Sequence, residues 1–217
     1  MSQILTLVGI STLQTLEMVL FSTLFSMVIG FPLGVLLYST NSMGITPRPI
    51  LNQVLTRIVN VLRSFPFIIL MILLFPLSRL ILGTSIGTTA TIIPLSIAAA
   101  PFVARLVETA LLEVDPGMIQ AARAMGSTNS QIIYKVLIPE SMPSLVSGIT
   151  LTIINLIGYS AMAGTIGGGG LGDLAIRYGY QRFRPDVMAA SVVVIIVMVE
   201  LIQFVGTRIA NRMLANR

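Results

Sequence analysis

The sequence predicts an all-α, polytopic membrane protein with about five transmembrane helices and a cytoplasmic helix between spans three and four. Three observations lead there. Hydrophobic residues make up 55% of the 217 positions and charged residues only 10%, whereas soluble domains carry roughly 25% charge. Uncharged runs reach the roughly 20 residues that a bilayer requires, Met18–Tyr38 among them. A polar stretch, Glu113–Pro143, interrupts the apolar chain near its middle. Residues 1–217 therefore read as one transmembrane domain.

Composition also excludes. The chain has neither cysteine nor histidine, which rules out disulfides, Cys/His zinc sites, haem or iron–sulfur ligation through these residues, and Cys/His nucleophiles. The formal charge of +5 is spread without a basic patch, so no nucleic-acid partner is expected. No nucleophile–base pair or metal cluster stands out, so no catalytic residues, no metal and no bound cofactor are expected in this chain. The first residues, MSQILTLVGISTLQ, lack the charged start and small-residue cleavage site of a secretory signal, and no cleaved signal peptide is expected.

In order, residues 1–12 read as a short helix or interfacial segment. The first span covers about 16–38. Gly30, Pro32 and Gly34 in its second half read as a packing surface, since small residues let membrane helices approach closely. Residues 41–49 are turn-rich. The second span covers 58–77, with Arg63 near its start able to reach the headgroups and Pro66 bending it. After a turn at 83–89, the third span, 86–106, contains Pro94 and Pro101 and ends with Arg105 and Glu108 spaced to pair. The loop 113–142 follows, then the fourth span, 143–164. The uncharged run continues to Gly172, but GTIGGGG (164–170) cannot stay helical and predicts an unwound or re-entrant end. Residues 173–186 form a charged, aromatic loop, and the fifth span, 187–206, is interrupted by Glu200.

Five spans put the ends on opposite sides, and basic residues decide the orientation. With the N-terminus outside, the inner segments hold Arg48, Arg57, Arg63, Arg105, Arg123, Lys135, Arg208, Arg212 and Arg217, and the outer ones only Arg79, Arg177, Arg182 and Arg184. N-terminus outside and C-terminus cytoplasmic is favoured. The loop 113–142 then faces the cytoplasm.

That loop predicts two short helices joined by a hinge. Asp115 is a good N-cap and Pro116 suits the first helical position. Ile119, Ala122 and Met125 fall on one face at spacings of three. Gly126 fits a left-handed helix terminus. Thr128 with Gln131 forms a capping box for the second helix, which Pro139 and Pro143 end. Such a loop can lie on lipid or dock into a partner. The small face of Ala, Gly and Met, without Trp or Phe anchors, favours docking.

Gln120-Ala121-Ala122, then Gly126, then Val136, Ile138 and Pro139, resemble the EAA loop of permease subunits of ABC importers. That pattern reads Glu-Ala-Ala, three residues, Gly, nine residues, Ile, any residue, Leu, Pro. The spacing is intact here, with Gln120 in place of the acid. NVLRSFPFIIL (60–70), GTSIG (83–87), AAPFVARLVE (99–108), IGYSAM (157–162) and GGGGLGD (167–173) are similar to the methionine-uptake branch of that family. The resemblance implies a coupling helix in a cleft of a separate ATP-hydrolysing subunit, with Gln120, Ala121, Ala122, Met125, Gly126, Ser127 and Thr128 at the contact. It also implies two copies of that subunit, which bind ATP and Mg, two copies of this chain, an external methionine-binding protein, and residence in a bacterial inner membrane. The function implied is methionine import (D- and/or L-) by alternating access. A pair of copies is expected on physical grounds too, because five helices enclose no convincing path.

Other features leave alternatives. IGYSAMAG (157–164) is either a helix-packing face or the lining of a central path, for which Tyr159, Ser160, Met162 and Gly164 are the candidates. The glycine run 167–170 lacks the Lys-Ser/Thr of a phosphate loop. Glu200 is the sole candidate for an ion-coupled carrier of a small solute, the alternative function. It reads better as solvated or paired near Arg208. The loop 173–186, with Tyr178 and Tyr180, is an ordinary solvated loop by its residues alone and the binding-protein dock by resemblance.

Overall fold

The computed structural model describes residues 2–215, and they form nine α-helices: α1 Ser2–Thr40, α2 Pro49–Ser64, α3 Phe67–Leu82, α4 Thr88–Leu112, α5 Pro116–Ala124, α6 Asn129–Ile132, α7 Ile138–Gly164, α8 Gly170–Leu174 and α9 Pro185–Ala215. Two π-helical turns, Ile133–Leu137 and Ala175–Tyr180, lie between them. There is no β-strand among the described residues. Ile4–Thr40, Thr88–Leu112, Asn129–Gly164 and Pro185–Ala215 are each long and apolar enough to cross a membrane.

The fifth crossing is a broken one. The span expected over 58–77 is two helices, α2 and α3, bent by 101°. Proline disfavours the helical region for the residue before it, and both Phe65 (ψ 130°) and Pro66 (ψ 126°) are extended. The pair still carries the chain the length of the bundle. It starts where α1 ends, with Asn52 donating to Leu37 O at 2.8 Å. It finishes near the start of α4, where Gly87 N–H donates to Gly167 O at 3.1 Å.

Two further differences concern where helices stop. From residue 2 the stretch expected as a separate segment, residues 1–12, is part of α1, which runs unbroken from Ser2 with no proline before Pro32; residue 1 lies outside the described residues. Pro139 and Pro143 do not end the helix that Thr128 begins. The π turn before Pro139 moves the pairing back one residue, with Ile138 N–H bonded to Ile133 O. This register shift accommodates the proline without a break, so α6, the π turn and α7 form one rod.

The central packing is α1 against α4. A Cβ on Gly30 would lie 2.6 Å from Ala100 O, and one on Gly34 2.6 Å from Ala104 O. The glycines are where the two backbones meet, as their spacing predicts. Two apolar clusters lie at opposite ends of this pair. One joins Met18, Leu95, Leu156, Ile157, Ala163 and Leu171; the other joins Tyr38, Val107, Leu111, Ala122, Ile132 and Leu137. The second fastens α5 to the bundle.

Candidate functional surfaces

The central segment forms as its local signals demand. Asp115 Oδ1 accepts the Gly117 N–H at 2.7 Å, with Pro116 opening α5. At the other end, Gly126 has φ +80°. Its N–H bonds Arg123 O and the Ser127 N–H bonds Ala122 O, the paired bonds of a Schellman terminus. The capping box is complete: Gln131 N–H donates to Thr128 Oγ1 at 3.3 Å and Thr128 N–H to Gln131 Oε1 at 2.9 Å.

The two faces of α5 then divide. Ala122, 3% exposed, packs with Ile132 and Leu137 in the bundle cluster, and Ile119 lies against it. Arg123 Nη2 donates to Ile45 O at 2.8 Å, pinning the helix to the turn after α1. On the other side Gln120, Ala121, Ala124, Gly126 and Thr128 are exposed, Met125 is 79% exposed and Ser127 half-buried. Ile119, Ala122 and Met125 therefore do not share a face. At 100° per residue a spacing of three falls 60° short of a full turn, so two such steps carry Met125 well round the helix. Ala122, expected at a partner contact, is turned inward.

α7 divides in the same way. Of the four residues expected along a path, Ser160 is 2% exposed and bonds Ile157 O of its own helix at 2.8 Å. Gly164 seats α8: a Cβ there would lie 2.1 Å from Asp173 N. Both are packing residues, on the inward face of the helix. Met162 is 45% exposed, and with Leu151, Asn155 and Gly158 it forms an exposed stripe at helical spacing. Tyr159, half-buried beside the stripe, stacks on Phe67 with centroids 4.5 Å apart and planes at 4°. The helix thus uses one face for packing and leaves the other open.

Next to Tyr159 is a feature the sequence reading missed. Leu62, Arg63, Phe65, Phe67, Ala98, Phe102, Asn155 and Tyr159 line a cleft of about 270 Å³ between the α2–α3 elbow, α4 and α7. The signal was Asn155, the one carboxamide in the uncharged run 141–172.

The glycine run closes the far end of α7. Gly170 has φ +78°, and a Cβ on it would lie 2.7 Å from Thr15 Oγ1. Its N–H bonds Gln14 Oε1, and the Leu171 N–H bonds Thr15 Oγ1 at 2.9 Å. Beyond α8, the charges of the loop are largely used internally. Arg177 pairs with Asp173 at 2.5 Å, and Arg182 covers the Tyr178 ring at 4.4 Å. Arg184 holds both oxygens of Asp186, a bond that raises the pKa of its guanidinium. Tyr180 and Phe183 stand out, 69% and 86% exposed. Phe183, at φ +54°, was not singled out from sequence, although an aromatic among charges in a loop is a signal for a contact.

Glu200 is exposed on α9 rather than enclosed by the bundle. Glu108, by contrast, is 4% exposed and bound to Arg105 at 2.6 Å, with Arg105 also donating to Asn60 Oδ1. The Arg105–Glu108 pair expected from spacing therefore ties α4 to α2.

Long apolar helices with an exposed helical knuckle at one end define a polytopic membrane protein. The chain belongs to the family of binding-protein-dependent transport system inner membrane components, whose model matches residues 30–215. It is 50% identical over 202 residues to a Vibrio cholerae protein described as a probable D-methionine transport system permease protein, MetI, covering 93% of this chain and 90% of that one. The methionine import system permease protein MetP of Bacillus subtilis is 49% identical over 81% of this chain and 79% of its own. Among solved structures, a chain of the MetNI methionine ABC transporter in an inward-facing conformation superposes with a TM-score of 0.96 at 46% identity. That match covers 98% of this chain and 99% of the other.

Proposed function

We propose that this chain is the membrane-spanning subunit of an ATP-driven methionine importer. Two copies pair about a central path, and each is met by one copy of a separate ATPase subunit, which binds ATP and Mg. An external binding protein delivers methionine. The N-terminus is outside and the C-terminus cytoplasmic, so α5 lies on the side where ATP is available. The chain itself performs no chemistry.

The observation that carries this is the construction of α5. Its outward face is small and flexible, with Ala121, Met125 and Gly126 exposed, which suits insertion into a groove. Its inward face is anchored through Ala122 and the Arg123–Ile45 bond. Force applied to the outer face reaches α1 and α4 through that anchor. It also reaches α7, because no break separates α6 from α7. Closure of the ATPase pair then rocks the α7 faces bearing Tyr159 and Met162 between inward-open and outward-open states, an alternating-access movement. The loop with Tyr180 and Phe183 is the surface offered to the binding protein.

The test is co-purification from membranes with a tag on this chain, followed by ATPase and methionine-uptake assays. The wild-type chain brings an ATPase with it. Ala121→Arg, a bulky charge on the exposed face, loses that ATPase or its stimulation by loaded binding protein. A chain that purifies alone and carries solute down an ion gradient overturns the proposal.

A further inference from the structure

We infer that the cleft between the α2–α3 elbow, α4 and α7 is a transient site for the carboxylate of the transported amino acid, with Arg63 as its anion partner. The inference rests on the importer function proposed above. The cleft, about 270 Å³, has three polar side chains on its wall: Arg63, Asn155 and Tyr159. None of the three polar heads has a hydrogen-bond or ion-pair partner among the described residues. Arg63 is exposed and shares its lack of a protein partner with the exposed Arg48, Arg57, Arg79, Arg208 and Arg212; what sets it apart is its place on the wall of this cleft. A guanidinium left with all its donors beside a carboxamide and a phenol is matched by a carboxylate.

A further observation fits an amino acid. Phe65, Phe67 and Phe102 form an apolar wall in the same cleft, complementary to a thioether side chain through sulfur–aromatic contact. α3 starts at Phe67 and α2 ends at Ser64 on the same elbow, so their opposite dipole ends offset and the positive field at the cleft is that of Arg63. No acidic side chain lines the cleft. The ammonium group of the substrate therefore meets only the neutral acceptors Asn155 Oδ1 and Tyr159 Oη. Such a site holds the substrate weakly and releases it, as a point on a path must. Tyr159 belongs both to the cleft and, through its neighbours, to the open stripe of α7, which places the cleft beside the proposed path.

The experiment uses the complete permease–ATPase complex in phosphatidylglycerol-containing vesicles with a photoreactive diazirine analogue of methionine. The expected result is labelling at Phe65, Phe102 or Tyr159, competed by methionine but not by methionine amide, which lacks the carboxylate. Arg63→Gln lowers labelling and uptake about tenfold, the loss of one charge-assisted bond, and Arg63→Lys restores much of both. Three results overturn the inference. Labelling elsewhere, with Arg63→Gln behaving as wild type and uptake intact, refutes the site while the importer function stands. Protection by phosphatidylglycerol and not by methionine makes this a lipid-headgroup site. Absence of methionine uptake in the wild-type complex removes the importer function and the site together.

Discussion

α5 and the C-terminal half of α7 are both helical segments rich in small residues, and the bundle treats the two alike in position but not in purpose. In α5 the inward Ala122 fastens a knuckle whose outer face stays free. In α7 the inward Ser160 and Gly164 bring in the chain's own α8 end, and the free face is a stripe within the membrane-crossing part. The difference is in what surrounds the open face. That of α5 lies outside the candidate crossing helices and is the face proposed above to dock the ATPase. That of α7 lies along a crossing helix, so lipid, a second copy or the passing solute must fill it. Small residues alone do not tell an anchor from a docking surface; position relative to the bundle does.

The sharpest way to break this comparison is to place the same charge on the two sides of α5. Ala122→Arg buries a guanidinium in the cluster of Ile132 and Leu137 and costs on the order of several kcal/mol. The measurement is the fraction of chain recovered as a monodisperse species in detergent, which falls severely. Ala121→Arg, one residue away and exposed, changes stability by no more than about 0.5 kcal/mol. Equal recovery of both variants would show that the anchoring face is misplaced.

A second pair tests α7 with a smaller expected effect. A Cβ on Gly164 meets backbone at 2.1 Å, whereas one on Gly158 meets nothing within 4 Å. Gly164→Ala therefore destabilises by about 1–3 kcal/mol through overpacking. Gly158→Ala leaves the isolated chain unchanged or stabilises it by up to about 1 kcal/mol, the ordinary gain of alanine over glycine in a helix. Thermal unfolding in detergent reads both. If Gly158→Ala instead weakens association of two copies while the monomer is unaffected, the open stripe is where the copies approach.

What was legible in the sequence follows the same division. The caps of the central segment could be read because each depends on residues within a few positions: Asp115 on Gly117, Thr128 on Gln131, Gly126 on its own φ. The contact of Gly30 and Gly34 with α4 could be read because close approach has few other uses in a membrane helix. Facing could not. Whether Ala122 or Ala121 points inward depends on where the cluster of Tyr38 and Leu137 lies, and those residues are remote in sequence. The cleft at Arg63 was hidden for the same reason. Its walls come from α2, α3, α4 and α7, and the break at Pro66 that assembles them is a 101° bend rather than a mild kink.

The smallest effect concerns the hinge between the two short helices of the knuckle. Thr128→Ala removes one half of the capping box, the acceptor for the Gln131 N–H, and costs about 1 kcal/mol. Because α6 is continuous through its π turn with α7, that loss frays the start of the rod rather than the bundle. Global unfolding temperature therefore moves little, while amide exchange rises at Gln131 and Ile132, residues whose N–H groups bond to Thr128. In the intact transporter the same variant keeps ATPase bound, since it only trims Thr128 at the edge of the exposed side and leaves Ala121 and Met125 in place. Its uptake per ATP hydrolysed falls, because the knuckle transmits less of the movement. If exchange rises but the ratio of uptake to hydrolysis holds, force passes through the Arg123–Ile45 bond into the end of α1, and the unbroken α6–α7 rod is structural rather than a transmission element.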